Sequence, residues 1–249
     1  MSRRPPQGSA VLLVVGGGVV RARGRTPKVD WSGYLRTTEE ATMPATRRRP
    51  ARDRILSAAT DLFYERGITA TGIDAVVEHA GVARRSLYNN FSSKDELVAA
   101  VVDRRHRQWL ELHRARLLQA GDDPVDRVLA VVDAYTDHAE ADGDHFRGCG
   151  LLNSAAEFPA GSATRAQVAR YKQEIEELLR AALTLDESDA DGNTPSADSA
   201  AHATATHLSL LLEGAVTRSG LEGTTVHLHR ARALAGEIVH RYHSTGAAA

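Results

Sequence analysis

Seven residues at positions 84–90, RRSLYNN, carry a high concentration of hydrogen-bonding side chains. If they form a helix with Leu87 facing inward, a rotation of about 100° per residue puts Arg85 and Asn89 on the opposite face and Tyr88 on a flank. Arginine can donate two parallel hydrogen bonds to guanine, and asparagine can pair with adenine in a similar way. The stretch therefore predicts a helix that reads base edges in the major groove of DNA.

Further residues around this helix suit the DNA backbone. Ser86, like Tyr88, lies on a flank, and Lys94 stands beside a predicted helix N-terminus, where a phosphate binds well. A basic arm ahead of the first helix suits phosphates or the minor groove, and it consists of Arg47, Arg48, Arg49 and Arg52. Taken alone, a polar face on a short helix is usually just solvated, and a run of arginines is often a tail. The local positive charge and the tight turn before the helix favour DNA.

Three short helices would position these side chains, and the sequence signals each one. Apolar residues recur at helical spacing before the natural C-cap Gly67, at Ile55, Ala58, Ala59, Leu62 and Phe63. A second helix is predicted to open at Thr71, and Gly81 can take the positive φ of a tight turn into the third. Ser93 and Glu96 form a capping box for a fourth helix of roughly 25 residues. Together these features predict a helix-turn-helix.

The remainder of the chain also has the pattern of helices. Asp123 and Pro124 are an N-cap and a first helical residue, and several amphipathic segments follow. The stretch 186–199 reads as a flexible loop, and the last two helices span about 200–220 and 224–243. The predicted fold class is all-α with about nine helices: an N-terminal three-helix helix-turn-helix domain and a larger helical domain for ligand binding and dimerisation.

Composition and charge narrow the class of protein. The 249 residues are 42% hydrophobic and 25% charged, as in a globular protein, and no apolar run approaches the ~18 residues of a membrane span. A single cysteine excludes a disulfide framework within the chain and favours a reducing, cytoplasmic location. Residues 44–94 carry nine Lys/Arg against five acids, whereas residues 95–249 carry 15 against 24. This asymmetry indicates a small module for an anionic partner joined to a larger acidic one.

The predicted domains are an N-terminal arm (1–46), a DNA-binding domain (47–94) and an effector-binding and dimerisation domain (95–249). The arm is expected to be disordered, or to lie outside the native product if translation starts at Met43. Its apolar run from Ala10 lacks the cleavage site of a signal peptide, and its glycines stand as GGG rather than in the spacing of a phosphate-binding loop.

Residues 52–102 resemble the DNA-binding domain of the TetR (tetracycline-repressor-like) family almost without a gap. The resemblance rests on Ala58-Ala59, Leu62-Phe63, Gly67, Thr71, Ala80-Gly81-Val82, Leu87-Tyr88, Phe91 and Ser93-Lys94. It implies a dimeric repressor with a small-molecule effector and a dimer interface on the last two helices. It also implies DNA contacts at Thr71, Arg84, Arg85, Tyr88, Asn89 and Lys94. The sequence departs from the family at Gly72 and Ala83, where many members carry Ser or Thr.

In the larger domain, FRGCGLLNSAAEF resembles a segment that borders the effector cavity in one subgroup of this family. By residue type, the cavity lining is predicted to be Trp109, His113, Tyr135, His138, Phe146, Cys149, Leu152, Asn153 and Phe158. For each residue, ordinary core packing is the alternative. Cys149 is interpreted as a buried structural cysteine or, alternatively, as a redox-sensing thiol. The pairs His227/His229 and His240/His243 are weak metal signals, so no metal or other cofactor is predicted.

These observations predict a ligand-responsive transcriptional regulator that is not an enzyme. It would be a homodimer that leaves a palindromic, double-stranded operator when a small molecule binds. Two alternatives stay open. One is a DNA-binding dimer without an effector, and the other is a helical enzyme that uses histidine or Cys149.

Overall fold

The computed structural model of the chain describes residues 12–15, 18–21, 50–184 and 195–246. The chain divides into two compact units, residues 1–42 and 43–249. In the first unit, strands β1 (Leu12–Val15) and β2 (Gly18–Arg21) pair antiparallel, with Leu12 opposite Arg21. No strand is among the predicted elements of residues 1–46. The two valine-rich runs separated by two glycines are nevertheless a hairpin signal in the sequence.

The described part of the second unit is entirely helical, with nine α-helices and one short 3₁₀ turn at Gly143–His145. The helices are α1 (Ala51–Arg66), α2 (Ile73–Ala80), α3 (Arg84–Asn90), α4 (Lys94–Ala120), α5 (Pro124–Asp142), α6 (Gly150–Ala156), α7 (Ala163–Leu183), α8 (Pro195–Glu222) and α9 (Val226–Gly246). For this unit the predicted all-α class is confirmed. The predicted loop at 186–199 was too long, because α8 already begins at Pro195; residues 185–194 lie outside the described part of the chain.

Most of the predicted helix caps are present. The Ser93 hydroxyl accepts a hydrogen bond from the Glu96 N–H at 3.1 Å, and Asp123 caps α5 through the Val125 N–H at 2.8 Å. Gly81 adopts a left-handed conformation (φ 59°), which a residue with a side chain rarely takes. The predicted cap at Thr71 is wrong, because the N-cap of α2 is Gly72 and no side chain caps this helix.

Two hydrophobic clusters hold the second unit together. The first contains residues from all four helices α1, α2, α3 and α4, together with Leu151 of α6 and Val168 of α7. The second lies among α4, α5, α7, α8 and α9. Cys149 packs against both clusters, so the segment around it connects the two cores.

Candidate DNA-reading surface and effector cavity

The short helix α3 is held by its single inward residue and by the turn before it. Leu87 is 0% exposed and sits in the first cluster with Phe91. On the other side of the turn, Arg54 of α1 donates a hydrogen bond to the main-chain oxygen of Gly81 at 3.0 Å. An α-helix of seven residues has little stability alone, so these contacts fix its orientation.

The opposite face of α3 is exposed as predicted. Arg84, Arg85, Tyr88 and Asn89 all project into solvent, and the Tyr88 side chain is 48% exposed. Within the described residues, Arg85 and Asn89 have no ion pair and no side-chain hydrogen bond. Their donors are therefore free to meet a partner outside the protein.

Arg84 differs from Arg85 because it is already engaged. Its Nη1 donates to Asp74 of α2 at 2.6 Å, and its guanidinium lies 5.9 Å from the centre of the Tyr88 ring. The contact with Tyr88, followed by the charge of Asp74, raises the pKa of Arg84 above its ordinary value. Arg84 therefore also orients Tyr88.

The structure describes only some of the residues that are predicted to contact phosphates. Arg52 is exposed and lies 5.0 Å from the centre of the Phe91 ring, close to the start of α4. Lys94 and Ser86 are half-buried, and the Ser86 carbonyl accepts a hydrogen bond from Asn90 at 2.7 Å. The predicted arm residues Arg47, Arg48 and Arg49 lie outside the described residues.

A narrow cavity lies within the larger helical core. Five of the residues predicted to line it do so: Trp109, Tyr135, His138, Phe146 and Cys149. The space inside it that a water molecule could occupy is about 30 Å³, and the wider empty volume of about 390 Å³ includes open solvent at its mouth. Almost all of the surface that faces this space comes from aromatic and aliphatic groups. The cavity therefore suits a mainly apolar ligand.

Four predicted cavity residues do not line this space. His113 is buried behind Trp109, with its ring stacked on the indole at 5.4 Å. Leu152 and Phe158 are partly buried and pack against the first hydrophobic cluster instead. Asn153 is exposed and donates to the Arg147 carbonyl at 2.9 Å.

The remaining lining residues were missed, and they are Arg105, Gly148, Gly150, Leu151, Ile175 and Val216. Arg105 precedes Trp109 by four residues on α4, so helical spacing could have found it. Ile175 and Val216 come from α7 and α8, and no local pattern predicts that these helices meet here.

Buried polar groups stand behind the cavity wall. Lys172 donates to the Tyr135 hydroxyl at 3.1 Å and forms an ion pair with Glu213 at 2.6 Å. Burial raises the pKa of Tyr135, so its hydroxyl stays protonated. Burial also lowers the pKa of His138, which is therefore neutral near pH 7. Among the described residues, the buried indole N–H of Trp109 has no hydrogen-bond partner.

Comparison with known proteins agrees with this architecture. The description "Bacterial regulatory proteins, tetR family" matches residues 55–101, and "Tetracyclin repressor-like, C-terminal domain" matches residues 124–235. The two matches together cover most of the second unit. The chain belongs to the TetR family.

Individual relatives match a stretch of about 90 to 100 residues of the chain. It is 38% identical over 96 residues to the HTH-type transcriptional activator FasR of Mycolicibacterium smegmatis, an alignment covering 39% of this chain and 43% of FasR. It is 32% identical over 90 residues to the HTH-type transcriptional repressor KstR2 of the same organism, covering 35% and 43%. The chain thus spans less than half the length of either relative.

Solved structures extend the similarity to the larger domain. SCO4454, a TetR-family regulator from Streptomyces coelicolor, superposes with a TM-score of 0.63 at 27% identity, over 78% of this chain and 94% of that one. Reduced NemR of E. coli gives a TM-score of 0.59 at 22% identity, over 76% and 98%. The second likeness shows the fold alone.

The structure does not favour one of the DNA contacts that the TetR resemblance implies. Thr71 is only 2% exposed, and its hydroxyl donates to the Gly67 carbonyl at 2.6 Å. Its hydroxyl is used within the α1–α2 loop, so it is not available for a phosphate in this conformation. At Ala83, where many family members carry Ser or Thr, the structure shows that α3 begins without a side-chain cap.

The metal and membrane hypotheses find no support in the described part of the chain. No group of three or more metal-ligating side chains occurs within it, and His227 is hydrogen-bonded to Glu222 at 2.6 Å. None of its helices is both long and apolar enough to span a bilayer. Cys149 is a free, half-buried thiol at the cavity wall.

Proposed function

We propose that this TetR-family chain is a dimeric transcriptional repressor, released from a palindromic operator when a small molecule enters the cavity. The exposed face of α3 carries the proposal. It presents Arg85 and Asn89 without partners among the described residues, on a helix fixed by the fully buried Leu87. Free donors on a rigid, exposed helix are suited to direct reading of bases.

Each exposed side chain has a distinct proposed role. Arg85 reads guanine, Asn89 reads adenine, and Tyr88 contacts a phosphate or a thymine methyl group. Arg52 and Lys94 bind phosphates, as do Arg47, Arg48 and Arg49 if the arm follows the DNA. Arg84 supports this surface through Tyr88 and gives a weaker direct contact, because Asp74 already accepts its hydrogen bond.

The dimer is proposed to form through α8 and α9. One line of exposed residues on α8 recurs at spacings of three and four and contains no acid, lysine or arginine: Ala203, His207, Leu210, Gly214, Thr217 and Leu221. Arg218 and Glu222, which are also exposed, stand at the neighbouring positions and form an ion pair with each other at 2.8 Å. Leu210 is 66% exposed and Leu221 84%, and Leu234 of α9 is also exposed. An uncharged stripe of this kind suits a two-fold helix interface. Of the small residues in these helices, Ala215, Ala231 and Ala235 face the protein's own core, whereas Gly214 faces outward.

The effector is proposed to be mainly apolar and to contain an aromatic or similarly flat group. The rings of Trp109, Tyr135 and Phe146 surround the cavity, and Ile175 and Val216 complete it. An acceptor atom on the ligand would satisfy the unpaired Trp109 N–H. The reducing compartment favoured by the lone cysteine and a DNA partner together support a cytoplasmic location, and no catalytic role is proposed.

A test of DNA reading starts with in vitro selection from random-sequence duplexes on the full chain. Fluorescence anisotropy then compares the selected duplex with a scrambled one at two salt concentrations. We expect Arg85→Ala to weaken the free energy of binding to the selected duplex by about 1–3 kcal/mol, and to weaken binding to scrambled DNA by less. The matched control is Arg66→Ala, which removes the same charge from an exposed site at the end of α1.

Three outcomes would contradict parts of the proposal. Equal losses on both duplexes for Arg85→Ala would show that this residue binds only the backbone. Failure of the selection to enrich any sequence would contradict sequence-specific regulation and favour the alternative of a DNA-binding dimer without an effector. If analytical ultracentrifugation finds a monomer at micromolar concentration, the proposed dimer is contradicted.

A further inference from the structure

Residues 146–158, here called the junction segment, contact three parts of the protein. Phe146, Gly148, Cys149, Gly150 and Leu151 line the cavity. The same segment is hydrogen-bonded to α1 of the DNA-binding domain and packs against α8. A change in the cavity wall therefore has direct neighbours in the DNA-binding domain and in the proposed dimer helix.

The first part of the junction segment is bound to the C-terminal turn of α1. The Tyr64 hydroxyl donates to the Gly148 carbonyl at 3.1 Å and accepts from the Arg147 N–H at 2.6 Å. The Arg147 guanidinium donates to the main-chain oxygens of Tyr64, at 3.0 Å, and Glu65. Burial raises the pKa of Tyr64 to about 12, so the hydroxyl keeps its proton at neutral pH.

The other end of the junction segment holds the loop between α1 and α2. The two carboxylate oxygens of Glu157 accept hydrogen bonds from the Ile68 and Thr69 N–H groups, each at 2.7 Å. Partial burial alone would raise the pKa of Glu157, but these two N–H groups lower it below the usual value. The carboxylate is therefore fully charged at neutral pH and binds the loop through two charge-assisted hydrogen bonds.

On the side away from α1, the junction segment lies against α8 without intervening side chains. A Cβ atom added at Gly220 would be 2.2 Å from the Gly148 nitrogen and 2.4 Å from its Cα. The backbone at Gly148 therefore cannot move toward α8. A group that widens the cavity beside Gly148 must displace the junction segment relative to α1, where Tyr64 and Glu157 hold it.

We infer that Tyr64, Arg147 and Glu157 are positioning residues that transmit cavity occupancy to the DNA-reading surface. The inference rests on the proposed function and adds the route by which the cavity acts on α1 and the α1–α2 loop. These hydrogen bonds orient α1, and Arg54 on the same helix holds the turn before α3. Coupling between two sites typically changes affinity by about 5- to 150-fold.

Cys149 allows this inference to be tested before any effector is identified. It is the chain's single cysteine and lies in the cavity wall beside Gly148. N-ethylmaleimide attached to it, to one adduct per chain by intact mass, is the probe. DNA affinity is measured with the duplex obtained by selection, and the readout is the ratio of the labelled to the unlabelled dissociation constant.

We expect labelling to weaken DNA binding of the otherwise unchanged chain by about fivefold or more. In Tyr64→Phe and in Glu157→Gln the ratio should fall below about two, because the displaced junction segment no longer moves α1. A ratio taken within each variant cancels any change in basal affinity or stability. Glu111→Gln, which removes a carboxylate from an exposed site on α4, should keep the full ratio. The Cys149→Ser variant, treated with N-ethylmaleimide in the same way, shows whether the reagent acts anywhere else on the protein.

Cys149→Trp, alone and combined with Tyr64→Phe, repeats the test without chemical labelling. Equal ratios in all variants would overturn the inference, and so would unchanged DNA affinity after both labelling and Cys149→Trp. These results differ from failure of the proposed function itself, in which the unlabelled protein prefers no duplex.

Discussion

Substitution of Gly220 by alanine tests the close packing of α8 against the junction segment. In an open helical position, replacing glycine by alanine stabilises a helix by roughly 0.8–1.0 kcal/mol. At Gly220 the new Cβ would lie 2.2 Å from the Gly148 nitrogen and 2.6 Å from the Arg147 carbonyl carbon. Both neighbours are backbone atoms, so no flexible side chain can move aside.

The size of the effect follows from two opposed contributions. Overpacking of a core typically costs about 1–3 kcal/mol and sometimes more. Here the upper part of that range applies, because Tyr64 holds the other side of Gly148 through its hydroxyl. After the helix-propensity gain is subtracted, we expect Gly220→Ala to lower the free energy of unfolding by about 2 kcal/mol.

Gly214 provides a control on the same helix. An added Cβ there would meet nothing within 4 Å in the protomer, so Gly214→Ala should raise the free energy of unfolding by up to about 1 kcal/mol. Urea unfolding of both variants should be followed at several protein concentrations, since Gly214 lies on the proposed dimer face. A Gly220→Ala protein as stable as the parent chain would refute the argument from close packing.

Three further predictions concern other parts of the molecule. Leu87→Ala should lower the free energy of unfolding by about 2–5 kcal/mol in urea titrations, because this side chain is the buried anchor of α3. Glu157→Gln should lower the free energy of unfolding by about 1–2 kcal/mol at pH 7. Because the folded pKa of Glu157 is lowered from 4.5, its contribution is present above that pH and should be lost as the pH falls through the lowered value, which unfolding at pH 7 and pH 3 would show. Asp137→Ala should lower the free energy of unfolding by about 2 kcal/mol, because Arg116 loses a bidentate partner. Differential scanning calorimetry that finds the same melting temperature in the variant and the parent chain would contradict this.

The DNA-reading helix was predictable because its signals are local. Gly81, the Ser93 cap and the inward position of Leu87 each act within a few residues, and helical rotation then places Arg85 and Asn89 outside. Thr71 was placed wrongly because capping chemistry and a buried turn use the same residue type. Its hydroxyl bonds to Gly67 rather than to an N–H group of α2.

The cavity was less predictable because it is built by tertiary contacts. Residue type identified Trp109 and Phe146. It could not show that Leu151 belongs both to the cavity wall and to the first hydrophobic cluster, whereas Leu152 packs only against that cluster. The role of Glu157 depends on a contact between residues almost ninety positions apart. No periodicity in either segment encodes that contact.

The close approach of Gly148 and Gly220 restricts how this protein can diverge during evolution. Ile175 and Val216 face the cavity from helices outside the junction segment, so exchanges there can alter effector preference one substitution at a time. Gly220 cannot gain a side chain unless the backbone at Gly148 moves, and Gly148 has a φ of 85°, which residues with side chains rarely adopt. In descendants of this sequence, both glycines should be retained, each for its own reason, while the cavity around them acquires new specificities.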